Sequence, residues 1–214
     1  MLATKVEETL VRPINAIARV VSHISPNVLT IIGLAGNAVA CAIFALAGIE
    51  VSPGERFTNP YLFRVGGLVA LAAAIFDMLD GRVARMRGRE SKFGAYLDST
   101  MDRYSDMLLY MGLMILYARL NKTPLMVLVW VAAFGSFMTS YARARAESLI
   151  PKCNVGFMER PERIVALILG ALTNNMVAAL WVIAVFSNLT AIQRTVYTLM
   201  ELHHTWLRVR ERRD

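Results

Sequence analysis

Four aspartates stand at spacings that bring carboxylates together. Asp77 and Asp80 are three residues apart, Asp98 and Asp102 four apart. On a helix both spacings put the pair on one face. All four lie in the run DMLDGRVARMRGRESKFGAYLDSTMDRYSD, from Asp77 to Asp106, which joins the polar ends of two apolar stretches. If the two helices are antiparallel neighbours, the four carboxylates converge. Carboxylates that close repel one another, and each is costly to place at a membrane boundary. A cation among them resolves the conflict. Hard oxygen donors favour magnesium, manganese or calcium over zinc. Gly81 and Gly94 leave room for a ligand beside the acids, and Arg82, Arg85, Arg87, Arg89 and Lys92 surround them. Metal next to guanidinium groups suits a pyrophosphate-bearing substrate, and phosphate chemistry narrows the metal to Mg2+ or Mn2+.

The elements that carry these residues read as membrane spans. Of 214 residues 56% are hydrophobic, yet 18% are charged, so the charge must be segregated along the chain. Six apolar stretches run from about Asn27 to Ile49, Tyr61 to Leu79, Met101 to Tyr117, Pro124 to Tyr141, Pro161 to Leu172 and Met176 to Tyr197. Most approach the ~20 residues a spanning helix needs. The fifth is short and needs Glu162 and Arg163 in its first turn to gain length. Ser25 and Thr123 are expected as caps before Pro26 and Pro124. Residues 4 to 22 are expected to form an interfacial amphipathic helix, with Val6, Leu10, Val11, Ile14, Ile17, Ala18 and Val21 on one broad face. The fold expected is all-α: six transmembrane helices over 25–200, an interfacial helix over 1–24 and a basic tail over 201–214, in one domain.

Lys and Arg fix the expected orientation. Nineteen of the 23 fall in the N-terminal segment, between Arg82 and Arg103, between Arg143 and Arg163, and from Arg194 onward; only Arg56, Arg64, Arg119 and Lys122 face the other way. The positive-inside rule then puts both termini and the aspartates in the cytoplasm. The net charge of +7 fits anionic headgroups in such a chain rather than nucleic acid. The two cysteines, Cys41 and Cys153, form no zinc or redox motif. No cleavable signal is evident at the N-terminus.

The aspartate run resembles the signature of the CDP-alcohol phosphotransferase family, D-x2-D-G-x2-A-R-x8-G-x3-D-x3-D. Asp77, Asp80, Gly81, Ala84, Arg85, Gly94, Asp98 and Asp102 match it without departure. The resemblance covers essentially the whole chain, since the family has six spans. It implies two divalent ions, Mg2+ or Mn2+, held by Asp77, Asp80, Asp98 and Asp102, with Asp102 also the general base. It implies that Gly81, Arg85, Ser91 and Gly94 lie against the CDP group, with Asn27, Val28, Leu29 and Thr30 helping to enclose it. It also implies a homodimer. Asp106 lies outside the signature and is expected to bond a basic neighbour instead of a metal.

A second stretch, SYARARAESLIPKCNVGFMERPERI, concentrates Arg143, Arg145, Arg160 and Arg163 beside the aspartates, and Arg194 sits inside the last apolar stretch. A buried arginine needs a partner; a phosphate on the acceptor, or Glu147 or Glu159, would serve. The runs YARARAE, GFMERPER and Gln193-Arg194 are similar to those of the prokaryotic phosphatidylinositol-phosphate synthase branch. That likeness implies that Arg143, Arg163 and Arg194 bind the phosphate of inositol phosphate, with a CDP-diacylglycerol-type lipid as donor and CMP as product. Glycerol phosphate is the alternative acceptor. A cation transporter would want its acids near the bilayer midplane in broken helices, not at the boundary among arginines.

Overall fold

Proline punctuates this chain. Pro26, Pro60, Pro124 and Pro161 each stand in the first two positions of a helix, where a missing backbone N–H leaves no bond unmade. A computed structural model describes residues 17–52, 55–88 and 91–211. Six long helices result: α1 (Pro26–Leu46), α2 (Pro60–Met86), α3 (Lys92–Arg119), α4 (Thr123–Glu147), α5 (Arg160–Leu172) and α6 (Met176–Glu211). The caps are uneven. Asn59 accepts from the backbone N–H of Tyr61 and Leu62 ahead of α2, and Ser91 Oγ accepts from Gly94 N ahead of α3. Ser25 caps α1 through its backbone carbonyl alone, and Thr123 lies inside α4 as its first residue instead of capping it.

The interfacial helix expected over residues 4 to 22 falls largely outside the described residues; residues 17–20 are helical and Val21–His23 form a 3-10 turn. Two further expectations are corrected. The first apolar stretch does not stay helical to Ile49. It stops at Leu46, and β1 (Gly48–Ser52) pairs antiparallel with β2 (Glu55–Thr58), a two-stranded hairpin attached to an otherwise helical fold. The last helix does not stop with its apolar stretch near Tyr197 either; α6 runs unbroken to Glu211, into the segment expected as a basic tail.

α1, α2, α4 and α6 (through Thr205) are long and apolar enough to cross a bilayer. α3 begins among charges, and α5 has only 13 residues. Large apolar side chains point outward along these helices, among them Leu68, Leu71, Trp130, Phe134, Trp181 and Ile192. Apolar exposure on this scale is the surface of a membrane protein. Lipid tails are as apolar as leucine, so close helix packing and polar contacts must hold such a bundle together.

The packing order matters for the site. α2 and α3, which carry the two aspartate pairs, do not lie mainly against each other. Each packs extensively on α1, which therefore sits between them. α4 packs on α6, α5 bridges α2 and α6, and α3 also touches α4. Gly112 of α3 lies so close to the Cys41 backbone of α1 that any Cβ there would collide. One apolar core runs through all six helices, with Ala40, Ala70, Leu113, Val129, Leu167 and Leu180 all buried in it.

Candidate active site

The start of α1, the end of α2 and the start of α3 enclose a cavity of about 330 Å3. Asn27, Thr30, Asp80, Gly81, Arg85, Ser91, Gly94 and Asp98 line it, together with Ser25, Pro26, Ala84 and Ala95. Six of the eight residues expected to enclose a CDP group thus come together. Val28 and Leu29 do not line the cavity. Helical periodicity splits the run: Asn27 and Thr30 share the cavity face, Leu29 is buried against Leu79, Val83 and Ala18, and Val28 points outward. Neither of the two glycines blocks the space. A Cβ on Gly81 would lie at ordinary contact distance from the Arg85 guanidinium, and one on Gly94 would press on Ser91 Oγ.

Asp80 is the most buried of the four acids, only 3% exposed. Thr30 Oγ1 donates to its Oδ2 at 2.6 Å, and the Gly81 backbone N–H donates to its Oδ1. Both donors fix the carboxylate as an acceptor at the cavity wall. Asp77 rests against Gly33 of α1, where a Cβ would overlap its Oδ1. Gly33 and Thr30 therefore explain why α1 between the aspartate helices helps the site: it supplies a hydrogen bond to one acid and room for the other. Asp98 sits in the polar opening of α3, where burial raises its carboxyl above the ordinary range against the opposing charges of Arg160, Arg103 and Arg85.

The centre of the acids holds an arginine. Arg160, the first residue of α5, places Nη2 2.9 Å from Asp77 Oδ2, Nη1 2.7 Å from Asp102 Oδ1 and Nε 3.1 Å from Asp106 Oδ1. Among the described residues no three Asp, Glu, His or Cys side chains form a ready metal-ligand set as they stand. The Arg160 guanidinium contacts both Asp77 and Asp102. The donor set nevertheless fits a hard divalent ion. Two of its members, Asp77 and Asp102, already bind a cation through carboxylate oxygens, and all four are the donors such ions take. Asp106 behaves as expected, bonding Arg160 and also Arg163 at 3.4 Å.

Of the three arginines expected to bind the acceptor phosphate, two form a second cluster. Arg143 Nη1 and Arg194 Nη2 both reach Glu159 Oε1, at 3.0 and 2.9 Å. Arg194, 2% exposed, also donates to the carbonyls of Val155 and Thr139, tying the α4–α5 loop and α4 to α6. Arg163, 1% exposed, donates to Ser140 Oγ, Met158 O and Asp106, and its Nε has no hydrogen-bond partner among the described residues. The structure thus joins Arg143 and Arg194 around one anion and sets Arg163 apart, facing the aspartates. A buried guanidinium without counter-charge would be several kcal/mol unfavourable, on the order of 3–5, so Glu159 and Asp106 are needed where they are. Both carboxylates expected as arginine partners are engaged, Glu159 by Arg194 and Arg143 and Glu147 by Arg143; the sequence did not single out Gly33, Thr30 as an Asp80 partner, or Arg160 as the cation among the acids.

Comparison with known proteins follows the same outline. The family model for CDP-alcohol phosphatidyltransferase matches residues 23–193. The archaetidylinositol phosphate synthase of Methanothermobacter thermautotrophicus is 38% identical over 177 residues, covering 80% of this chain and 83% of that protein. The phosphatidylinositol phosphate synthase of Mycobacteroides abscessus is 37% identical over 161 residues, covering 71% and 72%. The crystal structure of the Mycobacterium tuberculosis phosphatidylinositol phosphate synthase with CDP-DAG bound superposes with a TM-score of 0.72 at 29% identity, over 87% of this chain and 94% of that one. The same enzyme in complex with manganese and citrate gives 0.74 at 30% identity, over 87% and 88%.

Proposed function

Because this chain belongs to the CDP-alcohol phosphatidyltransferase family, we propose that it transfers a phosphatidyl group, or its ether-lipid equivalent, from a CDP-activated lipid to the hydroxyl of inositol phosphate, releasing CMP. The observation that carries this reading is the cavity. It gathers Asp80, Gly81, Arg85, Ser91, Gly94 and Asp98 of the signature region with Asn27 and Thr30 at one polar end of an apolar bundle. A lipid there can keep its tails in the bilayer while its CDP group enters the cavity. The relatives named for archaetidylinositol and phosphatidylinositol phosphate synthesis support inositol phosphate as acceptor.

Asp77, Asp80, Asp98 and Asp102 would hold two divalent ions, Mg2+ or Mn2+, which supply charge neutralisation at the pyrophosphate. Thr30 and Gly81 N hold Asp80 in place for this. Gly81, Arg85, Ser91 and Gly94 lie against the CDP group, and Arg85 adds a guanidinium for its phosphates. Asp102 takes the proton from the acceptor hydroxyl. That oxygen forms a bond to the lipid-linked phosphorus, the bond from that phosphorus to the CMP oxygen breaks, and CMP leaves. Arg143, Arg163 and Arg194 hold the acceptor phosphate; Arg143 and Arg194 already share one anionic oxygen, which supports that role. In the full reading the six helices are six spans of one catalytic domain. Both termini and the site are cytoplasmic, and two copies associate as a dimer.

The test is CMP release by the purified chain, supplied with CDP-diacylglycerol, Mg2+ and one acceptor at a time. Inositol phosphate should support release and glycerol phosphate should not. The reverse pattern contradicts the acceptor assignment while leaving the family chemistry intact.

A further inference from the structure

Two consecutive residues, Glu159 and Arg160, occupy both halves of the site at once. Glu159 caps the start of α5 and Arg160 is its first residue. The Arg160 guanidinium bridges Asp77 and Asp102, two of the proposed metal ligands. The Glu159 carboxylate bridges Arg143 and Arg194, two of the proposed phosphate ligands. Each side chain therefore matches in charge what its half of the site is proposed to bind. The placement of Arg160 runs against local preference. A cation at a helix N-terminus is opposed by the backbone dipole, and Glu162 and Arg163 follow in the same turn. The three carboxylates around it outweigh that opposition. The third, Asp106, lies outside the metal set, so Arg160 can leave Asp77 and Asp102 and still keep a charged partner on α3.

We infer that Glu159 and Arg160 are positioning residues that couple the two halves of the site: Arg160 holds the place of the metal and Glu159 the place of the acceptor phosphate. They share a peptide unit. Displacing the guanidinium from Asp77 and Asp102 moves the backbone that carries Glu159, and so loosens its hold on Arg143 and Arg194. Metal binding then favours phosphate binding, and by linkage phosphate favours metal to the same extent. Without ligands, the pair leaves Asp77 and Asp102 with a counter-charge and gives the buried Arg194 one as well. The inference rests on the metal and phosphate roles proposed above.

Equilibrium binding without a lipid donor tests it, since no turnover can then occur. Free Mn2+ is followed by electron paramagnetic resonance during titration of the full chain in detergent, with and without inositol phosphate. Saturating inositol phosphate should tighten Mn2+ binding by roughly tenfold, within the usual range of such couplings. Arg160→Gln should bind Mn2+ roughly tenfold tighter than wild type even without inositol phosphate, Arg160→Lys should fall between, and the coupling should shrink in both. Glu159→Gln should bind inositol phosphate more tightly in the absence of metal. A merely structural Arg160 predicts the opposite, weaker Mn2+ binding on its loss. If wild type binds Mn2+ and Arg160→Gln binds it no tighter, the inference fails and the metal site stands. If neither binds Mn2+, the metal site itself fails and the inference with it. Should Arg160→Gln not fold, Glu159→Gln decides: unchanged inositol phosphate affinity, or undiminished coupling, overturns the proposal.

Discussion

The two halves of the site are built differently. The half proposed for the donor, between α1, α2 and α3, is a cavity whose polar groups face open space: Asn27, Ser91 and Arg85 line it, and glycines keep it clear. The half proposed for the acceptor, between α4, α5 and α6, is held by ion pairs, with Arg194 and Arg163 almost fully buried and engaged to Glu159 and Asp106. A preformed cavity suits a large nucleotide that must be received whole. An arginine cluster held by internal acids suits a small, highly charged acceptor, because exchanging one anion for another leaves no guanidinium unpaired at any point. On the proposed assignment, the donor half is specified by space and the acceptor half by charge.

Asp102 joins the two halves, so its loss should have the largest effect. Asp102→Asn keeps the shape and removes the base, and CMP release should fall by roughly 10^2- to 10^4-fold with every acceptor tested. Near-normal release would remove Asp102 from the mechanism. Arg194→Gln strikes the acceptor half alone. Loss of a charge-assisted bond, about 1.5–3 kcal/mol, should raise the KM for inositol phosphate by tenfold or more and leave the KM for CDP-lipid unchanged. The melting temperature should fall too, because the contacts to Val155 and Thr139 are lost. Equal rises in both KM values would break the division. Gly81→Ala is the mirror experiment. Its methyl meets Arg85 without collision, so the fold should persist while the CDP-lipid KM rises several-fold and the acceptor KM stays put. The smallest change is Thr30→Val. It removes one hydrogen bond to Asp80, about 0.5–1.5 kcal/mol, and Mn2+ titration should show a few-fold weaker affinity in a normally folded protein. Unchanged affinity would reduce Thr30 to a helix residue.

The difference between the halves also explains what the sequence disclosed. The donor half is written over short distances. Asp77 and Asp80, then Asp98 and Asp102, are set by helical periodicity, and the glycines between them fall where a nucleotide needs room. The same periodicity, applied to the run from Asn27 to Thr30, would have separated Leu29 and Val28 from the cavity. The half proposed for the acceptor depends on contacts 16 to 57 residues apart in the chain, such as Arg143 with Glu159 and Arg163 with Asp106. No spacing rule reaches that far, so Glu147 and Glu159 were both legible as partners, but not that one oxygen of Glu159 would be shared by Arg143 and Arg194. The same limit applies to α1. Gly33 reads as one more small residue in an apolar helix until Asp77 is seen against it. The strands of the Gly48–Thr58 hairpin were hidden because Ile49 extends an apolar run that the backbone leaves at Leu46.

The most direct test of the whole account follows one oxygen atom. Inositol phosphate labelled with oxygen-18 in its ring hydroxyls is incubated with CDP-diacylglycerol, Mg2+ and the purified chain, and the products are weighed by mass spectrometry. Direct attack of the acceptor hydroxyl on the lipid-linked phosphorus puts the label in the lipid phosphodiester and leaves CMP unlabelled. Labelled CMP, or unlabelled phosphatidic acid in place of an inositol lipid, would contradict it.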